Sequence, residues 1–363
     1  MSGGIAQLVA VGAQDAHLVG QPEVSFFRSN YKRHTNFAQT VERQVIQGNP
    51  SAGGMSTVRF ERKGDMVGYV YITPTKSAIA HKLTPAEWIN AISKVELLIG
   101  GQVIDEQTSE FSQYMAPTIL AQNLTKSTSG FAEVQSKFYP LRFSFCENAQ
   151  TAIPLIALQY HDVELRITWG SNLYAATYEV FSQFIHLDTD ERTALSSTPQ
   201  NMLITQTQKA VSSASKTQEL NFNHPIKCLV AGKATSLAIA ADANKMKLQI
   251  NGTDVADFKY VDPHYTAVTS YYHTTSSKAH ALLGQSAHGS QHFEQPSGEN
   301  DHFFLYPFCL DTSKVQPTGS LNFSRLDSAR LVNDTANSDD DIYAVNYNIL
   351  RIENGMGGLM YSN

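Results

Sequence analysis

Lys94-Val95-Glu96-Leu97-Leu98-Ile99-Gly100-Gly101-Gln102-Val103-Ile104 is an apolar, β-branched run interrupted by a glycine pair. Two glycines between such flanks supply the positive φ angles that a two-residue hairpin turn demands, so this stretch reads as two antiparallel strands. The same texture extends in both directions. Val58-Arg59-Phe60-Glu61 and Val67 to Ile72 precede it, and Asp162 to Thr168, Phe184 to Leu187, Leu203 to Gln206, Ile226 to Val230, Lys247 to Ile250, Phe303 to Leu310 and Ile342 to Ile352 follow. Asn251-Gly252 after Ile250 marks a second hairpin. Strands at this spacing, separated by Gly, Pro, Asn and Ser, predict an all-β chain of packed sandwiches.

Helices are few. Thr84-Pro85-Ala86-Glu87 forms a capping box with proline at the first helical position, and Trp88, Ile89 and Ile92 continue it as a buried stripe. Ser109 to Gln122 has helical spacing at Phe111, Tyr114, Met115 and Leu120, with Pro117 set to bend or end it. Both read as insertions on a β scaffold. A chain of 363 residues exceeds one hydrophobic core and predicts two domains. The seam falls between residues 190 and 220, where Ser196 to Pro199 and Val211 to Ser215 flank a short strand near Leu203. Jelly rolls fit these two units, and periodicity alone leaves an immunoglobulin-like pair equally open.

Charged residues make up 17% of the chain, with a formal net charge of -6. That share is below the usual quarter, which predicts wide uncharged faces that end against other subunits. Net negative charge argues against a grip on nucleic acid. The one basic cluster, Arg28, Lys32, Arg33 and His34 among Phe26, Phe27, Tyr31 and Phe37, is expected to be buried and hydrogen-bonded where the chain enters the body. Cys146, Cys228 and Cys309 are odd in number and far apart, so no disulfide framework or zinc ribbon is predicted. The N-terminus lacks the basic and apolar regions of a secretory signal, and Ser2 occupies the position myristoylation requires for glycine, so the expectation is a soluble cytosolic product.

No signature of chemistry emerges. The phosphate-wrapping G-x-x-x-x-G-K-[ST], the zinc-binding H-E-x-x-H and the G-x-S-x-G nucleophile elbow are all missing. Gly355-Met356-Gly357-Gly358 reads as a flexible chain end. Six of twelve histidines fall between His264 and His302, in a segment whose Ser, Gly and Gln content predicts a solvated loop, so the i, i+4 pair His288 and His292 makes no preformed metal face. Asp339-Asp340-Asp341 with Asn337 lacks the glycine and terminal glutamate of an EF-hand and reads as a solvated acidic turn. Asp105-Glu106 and Asp190-Glu191 are expected on opposite sides of strands, which is no acid/base arrangement. The sequons at Asn123, Asn251, Asn322 and Asn333 read as chance matches. Catalytic, cofactor-binding and metal-binding residues are therefore all assigned as none.

Four strings point to one family. Gly3 to Asp15 with Phe26-Phe27-Arg28 and Tyr31-Lys32-Arg33-His34-Thr35-Asn36-Phe37-Ala38 closely resembles the N-terminal region of major capsid proteins of nucleocytoplasmic large DNA viruses. Ile153 to Val163 is similar to that family's strand near the end of the first jelly roll, Gln316 to Asp327 to its second-domain signature, and Tyr343 to Ile352 with Gly355 to Leu359 to its last strand and tail. The resemblance implies two consecutive eight-stranded antiparallel jelly-roll sandwiches with short helical insertions in loops: an N-terminal arm over 1–25, a first jelly roll over 26–200 and a second over 201–363. It implies a structural protein and no enzyme, three copies of which form a pseudo-hexagonal capsomer that tiles the icosahedral shell of a large double-stranded DNA virus. Its implied partners are its own copies, neighbouring capsomers and minor capsid proteins met at the inner face by the arm. Nucleic acid is not contacted, and an internal membrane lies nearby without being spanned. Synthesis and assembly are implied in the host cytoplasm, and outer loops shorter than those of many relatives. Arg325 and Asp327 are expected to brace a turn within the domain or to pair at the trimer seam. The alternatives are a low-copy capsid paralogue, a glycan-binding jelly roll stacking sugars on Tyr271, Tyr272 and Trp169, and a cupin-like or glycosidase enzyme on the same scaffold.

Overall fold

The glycine hairpin is present as read. In a computed structural model that describes residues 4–5, 9, 12–75, 83–122, 126, 137–174, 177–233, 236–241, 243–275 and 302–362, Gly100 and Gly101 take φ angles of +58° and +83° and Ile99 pairs with Gln102. A side chain at Gly100 would run into the ring of His161. Asn251 and Gly252 make the equivalent turn at +49° and +78°.

The first ten strands are β1 (Phe37–Gln44), β2 (Ile46–Gln47), β3 (Met55–Arg59), β4 (Met66–Pro74), β5 (Ile92–Ile99), β6 (Gln102–Thr108), β7 (Tyr139–Pro140), β8 (Ile153–Pro154), β9 (Val163–Trp169) and β10 (Tyr178–Leu187). They form two antiparallel sheets, β1-β10-β4-β7 with β8 beside β4, and β2-β3-β9-β5-β6. Along β9, Val163, Leu165, Ile167 and Trp169 are buried while Glu164, Arg166 and Thr168 are less so, the period of two that a half-buried strand imposes.

The next eleven are β11 (Gln200–Ala210), β12 (Thr217–Glu219), β13 (Pro225–Gly232), β14 (Lys245–Ile250), β15 (Thr253–Asp254), β16 (Lys259–Tyr260), β17 (Phe303–Pro307), β18 (Leu321–Asn322), β19 (Ala329–Asn333), β20 (Ile342–Glu353) and β21 (Met356–Leu359). Their sheets run β11-β20-β13-β17, with β18 beside β13 and β21 beside β20, and β12-β19-β14-β15, with β16 beside β14. The order repeats that of the first half, except that β2 and β21 have no counterpart in the other half. Val67, Val70, Val95, Leu165 and Phe184 fill the first core, and Ile226, Leu229, Leu248, Phe304 and Leu331 the second.

Several expectations are corrected in detail. Thr84 does cap Pro85–Ala91 with both halves of the capping box formed. The helix expected over 109–122 is a π-helical turn, Phe111–Met115, followed by a short α-helix, Ala116–Ile119, because Pro117 can occupy only the first turn of a helix. The short strand near Leu203 is an eleven-residue strand paired with β20 along its whole length, and the loop before it is a helix, Thr189–Ser197, whose N-terminus Asp188 caps. That helix also places Asp190 and Glu191 in its first turn, not on a strand. Ile153 to Val163 holds a two-residue strand and a 3₁₀ turn at Leu155–Ala157 before β9 begins at Val163, and Gln316 to Asp327 likewise holds a two-residue strand and a 3₁₀ turn, Leu321–Asn322 and Phe323–Arg325. The two strings thus occupy the same place in the two halves.

Residues Met1–Asn36 form a unit of their own, apart from Phe37–Asn363. Apart from a four-residue helix, Ala16–Val19, residues 12–36 carry no regular element. Phe26, Phe27 and Tyr31 are 92%, 98% and 86% exposed, and Arg28, Lys32, Arg33 and His34 are exposed with them. The expectation that this cluster is buried is wrong for the single chain. The segment holds too little regular structure to cover its own rings.

Replacing Thr84 by Ala removes the acceptor for the Glu87 N–H, and urea denaturation should report a loss of about 1 kcal/mol.

Candidate functional site: the seam between the sandwiches

Among the described residues no set of three or more His, Cys, Asp or Glu is placed to hold a metal ion. What the chain builds instead is a contact between its own halves, in three parts. The first is the insertion after β6. Phe111, Met115, Ala116 and Ile119 are buried on the outer face of the β11-β20-β13-β17 sheet, against Cys228, Val230, Leu305, Tyr343 and Val345. Phe111 and Tyr343 lie 5.8 Å apart by ring centroids, and the Tyr343 hydroxyl is 2.9 Å from Thr108 Oγ1. Gly232 makes room for Met115, whose Cγ would stand 3.1 Å from a Cβ there.

The second part joins the edge strands β6 and β11. The Thr207 N–H donates to Asp105 Oδ1 at 2.8 Å, Gln206 Nε2 donates to the Ile104 carbonyl, and Asn348 Nδ2 donates to Gln206 Oε1 at 2.8 Å. Ile204, Leu350 and Ile352 of the second half complete the core of the first. Asp105 is buried, and burial pushes its carboxyl up to about 7 against the opposing pull of the Thr207 and Gln107 hydrogen bonds. Its neighbour Glu106 is exposed on the other side of the strand and reaches Lys94 at 3.0 Å.

The third part is the C-terminal hairpin. Asn354 and Gly355 take φ angles of +52° and +79°, which turns β20 back into β21. The Tyr160 N–H donates to the Gly355 carbonyl at 2.9 Å, His161 Nδ1 lies 2.9 Å from the Gly357 carbonyl, and the Leu359 N–H reaches Gln102 Oε1 at 3.3 Å. A Cβ on Gly357 would stand 2.7 Å from Leu158. Gly355 to Gly358 is therefore no flexible end. Its glycines let the last strand lie against the first sandwich, a role signalled by the Asn-Gly dipeptide that the sequence reading passed over.

Other singled-out residues resolve individually. Trp169 is buried, and its Nε1 donates to Ser56 Oγ at 2.8 Å, so it offers no surface to a sugar. Tyr271 and Tyr272 are exposed. The acidic turn is not solvated at its centre: Asp340 is buried, pairs with Lys233 at 2.6 Å and accepts the Ile239 N–H, while Asp341 pairs with Lys209 at 2.6 Å. Loop amides and two lysines that need acceptors draw these carboxylates inward. Arg325 and Asp327 are both exposed and form no ion pair with each other. The turn is held instead by Asn251 Oδ1, which accepts the Asp327 and Ser328 N–H groups at 2.9 and 3.1 Å. Asn333 is buried, so its sequon is inaccessible, and Asn123 lies outside the described residues. His280, His288 and His292 also lie outside them, and His264 is exposed while His273 lies 3.1 Å from the Cys309 carbonyl. No helix among the described residues is long and apolar enough to cross a membrane.

Residues 25–221 match the family described as major capsid protein N-terminus, and residues 285–358 match that described as large eukaryotic DNA virus major capsid protein. The chain belongs to the major capsid proteins of large eukaryotic DNA viruses. This capsid protein is 34% identical to the major capsid protein of Pyramimonas orientalis virus and 32% identical to that of Paramecium bursaria Chlorella virus 1, each alignment covering 100% of both chains. The alignments run over 398 and 445 positions against 363 residues here, so both relatives carry insertions. A solved chain of the PBCV-1 virus capsid superposes with a TM-score of 0.71 at 27% identity, over 93% of this chain and 100% of that one. The Faustovirus major capsid protein shares the fold, with a TM-score of 0.60 at 9% identity over 94% of each chain. The capsid protein is thus a double jelly roll, a structural component of the virion and not an enzyme.

Two outcomes test the seam. Phe111→Ala should cost about 3–5 kcal/mol in urea unfolding, the range for emptying a buried aromatic site. Asp105 stays protonated in the folded chain up to about pH 7 but ionises near 3.8 when unfolded, so its contribution is full below pH 4 and declines as pH rises through 7. Thermal melts of Asp105→Asn against the wild type should differ in slope over that window by up to about 1.4 kcal/mol per pH unit, with the variant flatter.

Proposed function

We propose that the capsid protein is the main shell subunit of its virus and that three copies form a pseudo-hexagonal capsomer. The observation that supports this is the repeated strand order of the two halves, 37–187 and 200–359, joined side by side within one chain. A contact between unlike surfaces of two like units is head-to-tail, and head-to-tail contacts close into a ring when the rotation permits. Three chains then present six sandwiches around one axis, and threefold symmetry imitates sixfold. On this reading the first jelly roll spans residues 26–200 and the second 201–363, with the seam as the model for every contact around the ring.

The arm carries the partner reading. Its rings and cations, Phe26, Phe27, Arg28, Tyr31, Lys32 and Arg33, are exposed in the single chain, which suits a segment ordered by minor capsid proteins at the inner face. The chain has no need to touch nucleic acid or to enter an internal membrane, and its three buried free cysteines suit synthesis and assembly in a reducing host cytoplasm.

Light scattering of the purified chain tests the trimer. Three chains of 40.0 kDa predict a species near 120 kDa. A 40 kDa species that persists at micromolar concentration and binds sugars on a glycan array would replace the shell reading with a lectin one. Copy number per particle separates the main shell protein from a low-copy paralogue.

A further inference from the structure

The two halves carry the same insertion. A π-helical turn runs directly into a short α-helix at Phe111–Met115 and Ala116–Ile119 in the first half, and at His264–Val268 and Thr269–His273 in the second. Both insertions follow the hairpin at the same point of the repeated order, after β6 and after β15 and β16. Aligned on their first residues, Ser112 and Gln113 stand opposite Tyr265 and Thr266, and all four are buried. This is the side that each insertion turns to its own sandwich, where Tyr265 stacks on Tyr306 at 5.2 Å. Phe111, Met115 and Ile119 stand opposite His264, Val268 and Tyr272. The first three are buried in the seam; the second three are exposed, Val268 by 40% and Tyr272 by 71%.

The sheets show the reciprocal difference. The outer face of β11-β20-β13-β17 is covered by the first insertion. The matching outer face of β1-β10-β4-β7 carries an aromatic cluster in which Tyr71 stacks with Phe181 at 5.4 Å and meets Phe138 at 5.8 Å and Tyr69 at 6.4 Å. Tyr69 is 43% exposed, and a groove of about 570 Å³ opens along Tyr69, Tyr71 and Phe138. Among the described residues, then, the first insertion has this side docked and the second has it exposed, and one outer sheet face is covered while the other leaves Tyr69 exposed beside a groove.

We propose that Val268 and Tyr272 of the second insertion dock on the Tyr69, Tyr71 and Phe181 face of another copy of the chain, repeating between copies the contact that Met115 and Ile119 make within one. The occupant is argued from the chain itself, which already joins this insertion type to this sheet type. The proposal rests on the trimer reading and gives that ring its specific contact. Because the surfaces differ, the contact is head-to-tail and propagates from copy to copy until it closes.

Cysteine cross-linking tests it. The native cysteines are buried, so the double variants Tyr69→Cys/Tyr272→Cys and Phe181→Cys/Val268→Cys report on the new pairs. Wild-type protein is sized first by light scattering. Oxidation of a double variant should give a covalent ladder that ends at three chains, with each single variant giving none of that ladder. Tyr272→Asp should lower the trimer fraction at least tenfold while leaving the circular dichroism of the monomer unchanged. A wild type that is trimeric while both double variants stay unlinked overturns the docking and leaves the trimer standing. A wild type that is monomeric removes both, and it does so before any cysteine is introduced.

Discussion

The constraint on which the rest of the structure depends is that the β11-β20-β13-β17 sheet is apolar on both faces. Ile226, Leu229 and Ala344 point into the second core, and Cys228, Val230, Tyr343 and Val345 point out of it. A sheet buried on one side only would leave that outer row in water. The insertion from the first half covers it, and burying Phe111, Met115 and Ile119 contributes roughly 1.5–3 kcal/mol each. The consequence reaches the chain's end, where β20 and β21 are pinned from one side by this cover and from the other by the Gly355 to Leu359 contacts with the first sandwich. The two halves therefore behave as one body.

The seam also gives the low charge a place. Its polar groups are largely uncharged, among them Gln107, Thr108, Gln206, Thr207, Asn346 and Asn348; its carboxyls are Asp105, held by hydrogen bonds from Thr207 and Gln107, and Glu110, which accepts from the Tyr343 hydroxyl at 3.4 Å. Uncharged amides satisfy one another across a buried contact without the desolvation that paired ions would incur. The ion pairs of the chain are instead mostly on exposed flanks, such as Arg59 with Asp162 and Lys63 with Glu61.

Local chemistry was legible where it is self-contained. The glycine pair at 100–101, Asn251-Gly252 and the Thr84 capping box each encode a turn or helix start through the residues that form it. The fold class followed from alternation along strands such as β9 and β10. The misread segments owe their shape to residues far away. Ile342 to Glu353 is buried nearly throughout because two sandwiches and an insertion meet on it, a fact no window of sequence contains. Asp340 turned inward because Lys233 and the Ile239 amide lie there, and Trp169 was hidden by Ser56 and Tyr178. The helix Thr189–Ser197 shows no buried residue and so no apolar stripe, which left only the Asp188 cap as its signal. Conversely, the insertions at 111–119 and 264–273 share a π-turn running into a short helix and no sequence motif, so the sequence alone does not pair them.

The central claim is that one contact is made twice, once inside the chain and once between copies. A cryo-electron microscopy reconstruction of assembled particles tests it most directly. The account predicts density for Val268 and Tyr272 seated over Tyr69, Tyr71 and Phe181 of the adjacent chain, in the same pose in which Met115 and Ile119 sit over Val230 and Val345. A capsomer in which that aromatic face is open to solvent, or is covered by a different element, would contradict it.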